Sequence, residues 1–324
     1  MKKYTMIFIV VIITAGALIA CSRAKTADVS GGDGIQIVTT IFPEYDWVMN
    51  ILGDNPAGAQ VTLLLDKGVD IHSYQPTAED MLKISSCDMF IYVGGESDEW
   101  VEDALKGAVN KDMRVINLLD VLGDYVKEEE VVEGMQAEEE EEEEKVGKDE
   151  HVWLSLRNAV ILTEKISDEL QKLDAKNAAV YEVNTKNYVE KLNTLDKEYN
   201  DAVATASVKT LLFGDRFPFR YLTDDYGLSY YAAFAGCSAE TEASFETITF
   251  LAGKADELKI PAIMTIEGSD GKIAKTIIEN TADKDRKILT MDSMQSVTAK
   301  DVEEGTNYLS VMESNLEVLK EALR

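Results

Sequence analysis

The chain has 324 residues, which is long enough for two domains. It carries 32 basic and 60 acidic residues, so its formal net charge is −28 at pH 7. This charge argues against nucleic-acid binding, which needs a basic surface, and is compatible with the attraction of cations.

The first 20 residues have the pattern of a secretory signal peptide. Two lysines precede a short apolar run over residues 6–13, and small residues follow it. The run is shorter than the ~20 residues of a membrane-spanning helix. Residues 18–21 read Leu-Ile-Ala-Cys and resemble a bacterial lipobox, in which Cys21 is lipidated after cleavage. We therefore expect a signal peptide over 1–20, a small polar tether over 21–34, and a lipid anchor on the extracytoplasmic face of the cell membrane.

Strand and helix patterns alternate from residue 35 to residue 173. Apolar, β-rich runs predict four strands, at residues 35–41, 61–65, 89–93 and 115–118. Helical patterns are found at residues 42–52, 77–84, 99–107 and 156–173. Thr77 and Asp80 form a capping-box pattern at the start of the second helix. The alternation predicts an N-terminal α/β lobe with a parallel sheet, whose functional loops lie at the carboxyl ends of the strands.

Two segments interrupt this alternation. Residues of about 123–150 include a run of glutamates at 138–144, and like charges predict a disordered, solvated insertion. After it, Asp174 is expected to cap a helix over 175–204 that contains neither Gly nor Pro. About 30 residues at 1.5 Å each make a rod of roughly 45 Å. We therefore expect residues 174–205 to form a rigid helix that links two lobes.

The remaining residues, 206–324, repeat the α/β pattern. Strands are expected at residues 210–213, 229–234, 262–266 and 287–291, and helices at residues 218–225, 244–258 and 300–323. The predicted fold class is therefore α/β, with two parallel-sheet lobes joined by a long helix.

Candidate metal ligands are found in loops of both lobes. The two histidines of the chain, His72 and His151, are in polar segments, and imidazole is the commonest nitrogen ligand of zinc-like ions. Three carboxylates follow predicted strands: Asp215, Glu267 and Asp292. A single carboxylate at such a position is more often a helix cap or a solvated loop residue, but the set has the composition of a divalent-metal site.

The two remaining cysteines, Cys87 and Cys237, are expected to be separately buried thiols rather than a disulfide. Neither has a CxxC partner, so the sequence offers little support for thiolate metal binding.

Over residues 35–324 the chain resembles the metal-binding receptors of bacterial zinc and manganese ABC importers. Four motifs carry the resemblance: residues 39–43 (Thr-Thr-Ile-Phe-Pro), 72–77 (His-Ser-Tyr-Gln-Pro-Thr), 151–155 (His-Val-Trp-Leu-Ser) and 226–228 (Tyr-Gly-Leu). The resemblance implies that the protein is a monomeric receptor with a metal site in the cleft between its lobes. It also implies that a membrane permease is the partner of this receptor.

The resemblance also implies particular ligands. His72, His151 and Asp292 match three of the family's positions. Family members have a His or Glu about a dozen residues before the Tyr-Gly-Leu motif, and an ungapped count reaches Arg216. Because a guanidinium stays charged and does not ligate a cation, we expect Asp215 to take this position, with Glu267 as the alternative. Arg216 is expected to turn away and pair with an acid.

The expected function is that of an extracellular receptor, not an enzyme, which captures a divalent ion and delivers it to the permease. We expect zinc, because the family's charged insertion goes with zinc. Manganese is the alternative, since carboxylates suit harder ions. A zinc hydrolase with the same ligands would need an open coordination position and a general base, and the chain has no HExxH pair. A surface adhesin of the same fold is a third reading.

Overall fold

The computed structural model describes residues 34–136, 147–238 and 242–324. The expected signal peptide, Cys21, all of the tether except Gly34, and the glutamate run at 138–144 lie outside these residues. The described residues belong to one compact unit. None of their helices combines the length and the apolar character that a membrane span requires.

The N-terminal sheet has four parallel strands in the order β2-β1-β3-β4. The strands are β1 (Gln36–Thr39), β2 (Gln60–Leu63), β3 (Met89–Tyr92) and β4 (Arg114–Asn117). The central strands β1 and β3 are almost entirely buried, which explains their continuous apolar sequences. All four overlap the predicted strands, so the parallel sheet is confirmed.

Four helices alternate with these strands: α1 (Phe42–Leu52), α2 (Ala78–Ser86), α3 (Trp100–Lys106) and α4 (Leu118–Leu122). The capping box at the start of α2 is present, since Thr77 and Asp80 each accept a hydrogen bond from the other's backbone amide. Helix α4 is not among the predicted helices. Asn117 ends β4 and caps this helix, because its side chain accepts a hydrogen bond from the amide of Asp120.

The two ends of the acidic insertion are ordered, contrary to the expectation of a disordered segment over 123–150. Glu128 and Lys148 form an antiparallel bridge that brings the two ends together. The amide of Gln136 donates to the carbonyl of Ala233, 3.0 Å away in the C-terminal half. Backbone pairing therefore holds both ends in place, and the unbroken run of like charge lies between them in the sequence.

The linking helix follows α5 (Leu156–Leu173). This helix, α6 (Ala178–Ala204), has 27 residues and a length of about 40 Å. The prediction that Asp174 caps α6 is wrong, because Asn177 occupies the N-cap position. Asp174 ends α5, and its carboxylate accepts hydrogen bonds from Asn177 Nδ2 at 2.6 Å and from the Tyr181 hydroxyl at 2.7 Å.

The C-terminal sheet also has four parallel strands, in the order β6-β5-β7-β8. The strands are β5 (Thr210–Phe217), β6 (Ser229–Ala235), β7 (Ala262–Ile266) and β8 (Lys287–Met291). Strand β5 is longer than predicted, and its register with β6 shifts between Phe213 and Arg216. Asp215 therefore lies within the strand at an irregularity that changes the direction of side chains, and does not follow the strand.

Five helices complete the C-terminal half: α7 (Arg220–Tyr226), α8 (Phe245–Glu257), α9 (Lys272–Asn280), α10 (Ala299–Glu303) and α11 (Tyr308–Ala322). Helix α9 is not among the predicted helices. The single terminal helix predicted over 300–323 is wrong, because the chain breaks it at Gly305, whose φ of 101° does not continue a right-handed helix. Asn307 then starts α11 and accepts a hydrogen bond from the amide of Ser310.

A continuous buried core connects the two halves. Helix α6 packs against α1 and α5 and also contacts α7 and α11. The hydroxyl of Tyr199 in α6 donates to the carbonyl of Met312 in α11 at 2.6 Å. The rings of Trp47 in α1 and Tyr308 in α11 are in edge contact, with centroids 5.5 Å apart. These contacts fix one sheet relative to the other, so the loops at their carboxyl ends can form one site.

Candidate metal centre

His72 belongs to a 3₁₀ turn, Ile71–Ser73, in the loop that follows β2. Asp70 starts this turn, and its Oδ1 atom accepts a hydrogen bond of 3.0 Å from the His72 amide. The His72 side chain is only 13 % exposed. A short carboxylate cap thus fixes the backbone that presents the imidazole.

His151 directly precedes a second 3₁₀ turn, Val152–Leu154, and is fully buried. Asp149 Oδ1 accepts hydrogen bonds from both the amide and Nδ1 of His151, each 2.9 Å long. The loop is held against the C-terminal half, since Trp153 Nε1 donates to the carbonyl of Ser293 at 2.8 Å. The hydroxyl of Tyr308 in turn donates to the carbonyl of Trp153 at 2.6 Å.

The two imidazoles face each other through their Nε2 atoms, which are 3.2 Å apart. Nδ1 of His151 donates to the carboxylate of Asp149, so the lone pair of the neutral ring is on Nε2. Nδ1 of His72 lies 2.8 Å from Ser97 Oγ and 3.5 Å from Glu150 Oε2, which favours the same tautomer. Two nitrogens on one tetrahedral zinc ion, with Zn–N bonds of 2.0–2.1 Å, are separated by about 3.3 Å. The Nε2 pair therefore has the spacing that a shared zinc ion requires.

The surroundings affect the pKa values of the two rings in opposite directions. Burial and the neighbouring His151 lower the pKa of His72 to about 3. Burial also lowers the pKa of His151, but the hydrogen bond and the charge of Asp149, together with the charge of Glu150, outweigh it and raise the pKa above its usual value. His72 therefore offers a neutral ring at physiological pH, which is the form that binds metal.

The Sγ atom of Cys237 joins the two imidazoles. One ligand atom from each of His72, His151 and Cys237 lies within 4.8 Å of the others, and this is the single such group of three or more His, Cys, Asp or Glu side chains among residues 34–136, 147–238 and 242–324. Burial and the charges of Glu129 and Asp149 raise the pKa of the Cys237 thiol far above its usual value. Cys87 and Cys237 are free thiols, as expected, but only Cys87 is buried and Cys237 is half-buried. Sequence reasoning missed Cys237 as a candidate ligand, although it follows a predicted strand as the candidate carboxylates do.

Asp215 and Arg216 do not join this group. Asp215 Oδ1 accepts a hydrogen bond of 2.9 Å from the amide of Arg216, and its Oδ2 accepts one of 3.4 Å from the amide of Ile266. Arg216 forms the expected ion pair with an acid, since its Nη2 lies 2.7 Å from Asp70 Oδ2. It does not turn away from the histidines, however, because Asp70 is also the cap of the turn that carries His72.

Asp292 and Glu267 also lie outside the group. Asp292 Oδ1 accepts a hydrogen bond of 2.7 Å from the amide of Met294. Both oxygens of Glu267 are engaged, since they accept from the amide and hydroxyl of Ser293 and from the amide of Gln295. Burial, followed by the charge of Asp292, raises the pKa of Glu267, and burial raises that of Asp292. Both carboxylates therefore support the loop after β8 in this structure.

Two cavities are lined by candidate ligands of the metal site. One, of about 250 Å³, is lined by His72 and Cys237 and by the acids Glu96, Glu129 and Glu150. It lies at the ordered base of the acidic insertion, because the amide of Glu129 donates to the carbonyl of Gly147. The other, of about 610 Å³, lies between the halves and is lined by Asp70, Asp215, Arg216 and Glu267, among others.

Comparison with known proteins shows that the chain is similar to zinc-uptake and zinc-binding proteins. The family model of the zinc-uptake complex component A, periplasmic (ZnuA), matches residues 37–322. The chain is 32 % identical to the zinc-binding lipoprotein AdcA of Streptococcus pneumoniae (strain ATCC BAA-255 / R6) over 308 residues, which are 94 % of this chain but only 58 % of that protein. It is 29 % identical to the high-affinity zinc uptake system protein ZnuA of Bacillus subtilis (strain 168) over 332 residues, covering 99 % of this chain and 98 % of that one.

The fold has solved counterparts. The crystal structure of the Zn(II)-bound ZnuA-like domain of S. pneumoniae AdcA superposes with a TM-score of 0.70 at 30 % identity, covering 90 % of this chain and 99 % of that one. Its similarity extends over both parallel-sheet lobes, as the sequence analysis expects. The chain therefore belongs to the ZnuA family of zinc-uptake components.

Proposed function

We propose that this protein is the zinc-capturing receptor of an ABC importer, with His72 and His151 as ligands of the transported ion. The spacing of 3.2 Å between the two Nε2 atoms is the observation that carries the proposal. Each ring has a polar partner at Nδ1, so its Nε2 lone pair is available to a metal ion. Zinc is the cargo of such a receptor, and the protein need not perform chemistry on it.

Zinc is favoured over manganese by the ligands that converge. Imidazole suits zinc, whereas manganese prefers carboxylate, carbonyl and water oxygens. The carboxylates of Asp215 and Glu267 already accept hydrogen bonds from the backbone, and neither lies with the two rings. The same cargo is supported by the names of two relatives, the zinc-binding lipoprotein of S. pneumoniae and the zinc uptake protein of B. subtilis.

Asp292 remains a proposed fourth ligand. Its hydrogen bond to Met294 uses Oδ1, so the other carboxylate oxygen can turn toward an ion when the loop after β8 adjusts. Asp215 also remains a prediction, but it would have to leave two backbone amides to reach an ion.

We further propose that the mature protein is anchored through lipidated Cys21 on the extracytoplasmic face of the membrane, where it meets the permease. The Leu-Ile-Ala-Cys segment supports this anchor, and the relative AdcA is called a lipoprotein. Mass spectrometry of the protein from membranes tests it. We expect the mature N terminus to be an acylated Cys21, and a protein that retains residues 1–20 would contradict the anchor.

The function is tested by titrating the metal-free protein with zinc and with manganese against a competing chelator. We expect one tight zinc site per chain and weaker manganese binding. Preferential binding of manganese would contradict the cargo, and the absence of a tight site for either ion would contradict the receptor. Zinc-dependent hydrolysis of ester, phosphate or peptide substrates, lost in His72→Ala, would instead favour the hydrolase.

A further inference from the structure

We propose that the Cys237 thiolate is the third ligand of the zinc ion, in the role that the sequence analysis gives to Asp215. The inference rests on the proposed zinc-receptor function and assigns one ligand of its site. The observation behind it is the convergence of Cys237 Sγ with one nitrogen of each histidine to within 4.8 Å.

The turn that carries Cys237 packs directly against His151. A Cβ atom added at Gly236 would lie 3.0 Å from Cε1 of His151 and 2.9 Å from the carbonyl oxygen of Phe217. Glycine at this position therefore allows the backbone to approach the imidazole closely. The next residue is held in place because the Cys237 amide donates to Glu129 Oε1 at 2.9 Å. Both contacts fix the turn that carries the thiol beside the His151 ring.

The side chain at the corresponding family position cannot supply a ligand. Arg216 carries a permanent positive charge and is paired with Asp70. Asp215 next to it accepts hydrogen bonds from two backbone amides. A thiol that enters from the turn after β6 reaches the histidines without breaking either arrangement.

Zinc coordination deprotonates a thiol outright, so the neighbouring acids do not prevent a thiolate ligand. On binding, the Sγ–H bond breaks, the proton passes to solvent, and a sulfur lone pair forms the Zn–S bond. The thiolate leaves one positive charge on the ion, and the buried acids Asp149 and Glu150 adjoin the histidine ligands. Two nitrogens and one sulfur form a softer ligand set than two nitrogens and a carboxylate, so Cys237 should favour zinc over manganese.

The experiment compares the parent protein with Cys237→Ala, Cys237→Asp and the control Cys87→Ala. Cys87 is a buried thiol beside α2 and outside the histidine group, so its loss removes a thiol without touching the site. X-ray absorption at the zinc edge should show one sulfur at about 2.3 Å in the parent and in Cys87→Ala, and none in Cys237→Ala. Zinc affinity should fall at least about tenfold in Cys237→Ala, and the unfolding temperature of each metal-free variant shows whether it is folded.

The Cys237→Asp variant separates a ligand from a purely structural residue. It exchanges a sulfur for an oxygen ligand, so the ratio of zinc to manganese affinity should fall below that of the parent. An unchanged ratio, or a parent zinc shell without sulfur, would overturn the assignment of Cys237 while leaving the receptor intact. A parent that binds no zinc would contradict the proposed function itself.

Discussion

A single carboxylate oxygen, Asp149 Oδ1, holds both the backbone amide and the Nδ1 atom of His151 at 2.9 Å. This contact sets the orientation of a fully buried ring and places the Nε2 lone pair toward His72. A carboxylate behind a histidine ligand also increases its basicity, and therefore its affinity for a metal ion.

Asp149→Ala should consequently weaken zinc binding by about 10- to 100-fold. Asp149→Asn should have a smaller effect, because the amide oxygen still accepts both hydrogen bonds but the charge is lost. The matched control is Asp168→Ala, which removes an exposed carboxylate in α5. Competition with a chelator measures the affinities, and parent-like binding by Asp149→Ala would show that the contact does not support the site.

The candidate carboxylates should differ in their effects. We expect Asp292→Ala to weaken zinc binding by about tenfold or more, since one of its oxygens is not committed to Met294. Glu267→Ala should have less effect on affinity, because both oxygens of Glu267 support the loop after β8. Glu267→Ala should mainly lower the unfolding temperature of the protein. A larger loss of affinity in Glu267→Ala than in Asp292→Ala would reverse this assignment.

The glutamates at 138–144 should accelerate zinc capture without forming the tight site. The ordered ends of the insertion lie beside the cavity lined by His72 and Cys237, so charge on this segment acts near the site. Replacing the seven glutamates by glutamine should slow association several-fold at low salt, with one tight site retained. The Debye length is ~30 Å at 0.01 M and ~3 Å at 1 M ionic strength, so stopped-flow rates of parent and variant should converge in high salt.

Deleting residues 137–146 gives a second test, because it keeps the bridge between Glu128 and Lys148. Loss of the tight site in this deletion would show that the segment supplies a ligand.

Glu44 should make the stability of the metal-free protein dependent on pH. Burial and the charge of Asp98 raise the pKa of Glu44 to about 8, against 4.5 for an ordinary glutamate. The folded state therefore keeps a proton that the unfolded state has released above pH 4.5, and its stability falls as pH rises from about 5 to 8. The Glu44→Gln side chain does not ionise, so the stability of this variant lacks the decrease with pH. The free energy of unfolding of Glu44→Gln minus that of the parent should therefore rise by up to about 1.4 kcal/mol per pH unit.

Urea unfolding at pH 5, 6, 7 and 8 in the presence of a chelator measures this difference. The exposed residue Glu246 in α8 provides the control Glu246→Gln, whose difference from the parent should stay constant. A constant difference for Glu44→Gln as well would mean that Glu44 is ionised in the folded protein.

The sequence predicts the elements whose signals are local. Apolar, β-rich runs locate all eight strands, and the two histidines are identifiable because each is in a polar loop. The cap at Asn177 escapes prediction because Asp174, three residues earlier, offers an equally good local signal. The break at Gly305 escapes although the glycine is a local signal, because helical patterns flank it on both sides. Cys237 is not predicted as a metal ligand for a different reason. Its role depends on its distance from His72 and His151, which are 165 and 86 residues away in the chain, and no local spacing encodes that distance.

The most direct test of the account is zinc titration of His72→Ala, His151→Ala and the double variant beside the parent. These are the only histidines of the chain, so the double variant has no imidazole left to bind a metal. We expect one tight zinc ion per parent chain and a loss of at least about 100-fold in affinity for each single variant, more than the roughly 10- to 100-fold cost of removing an outer partner. A folded double variant that still binds one zinc ion with parental affinity would contradict the central claim that the two Nε2 atoms hold the ion.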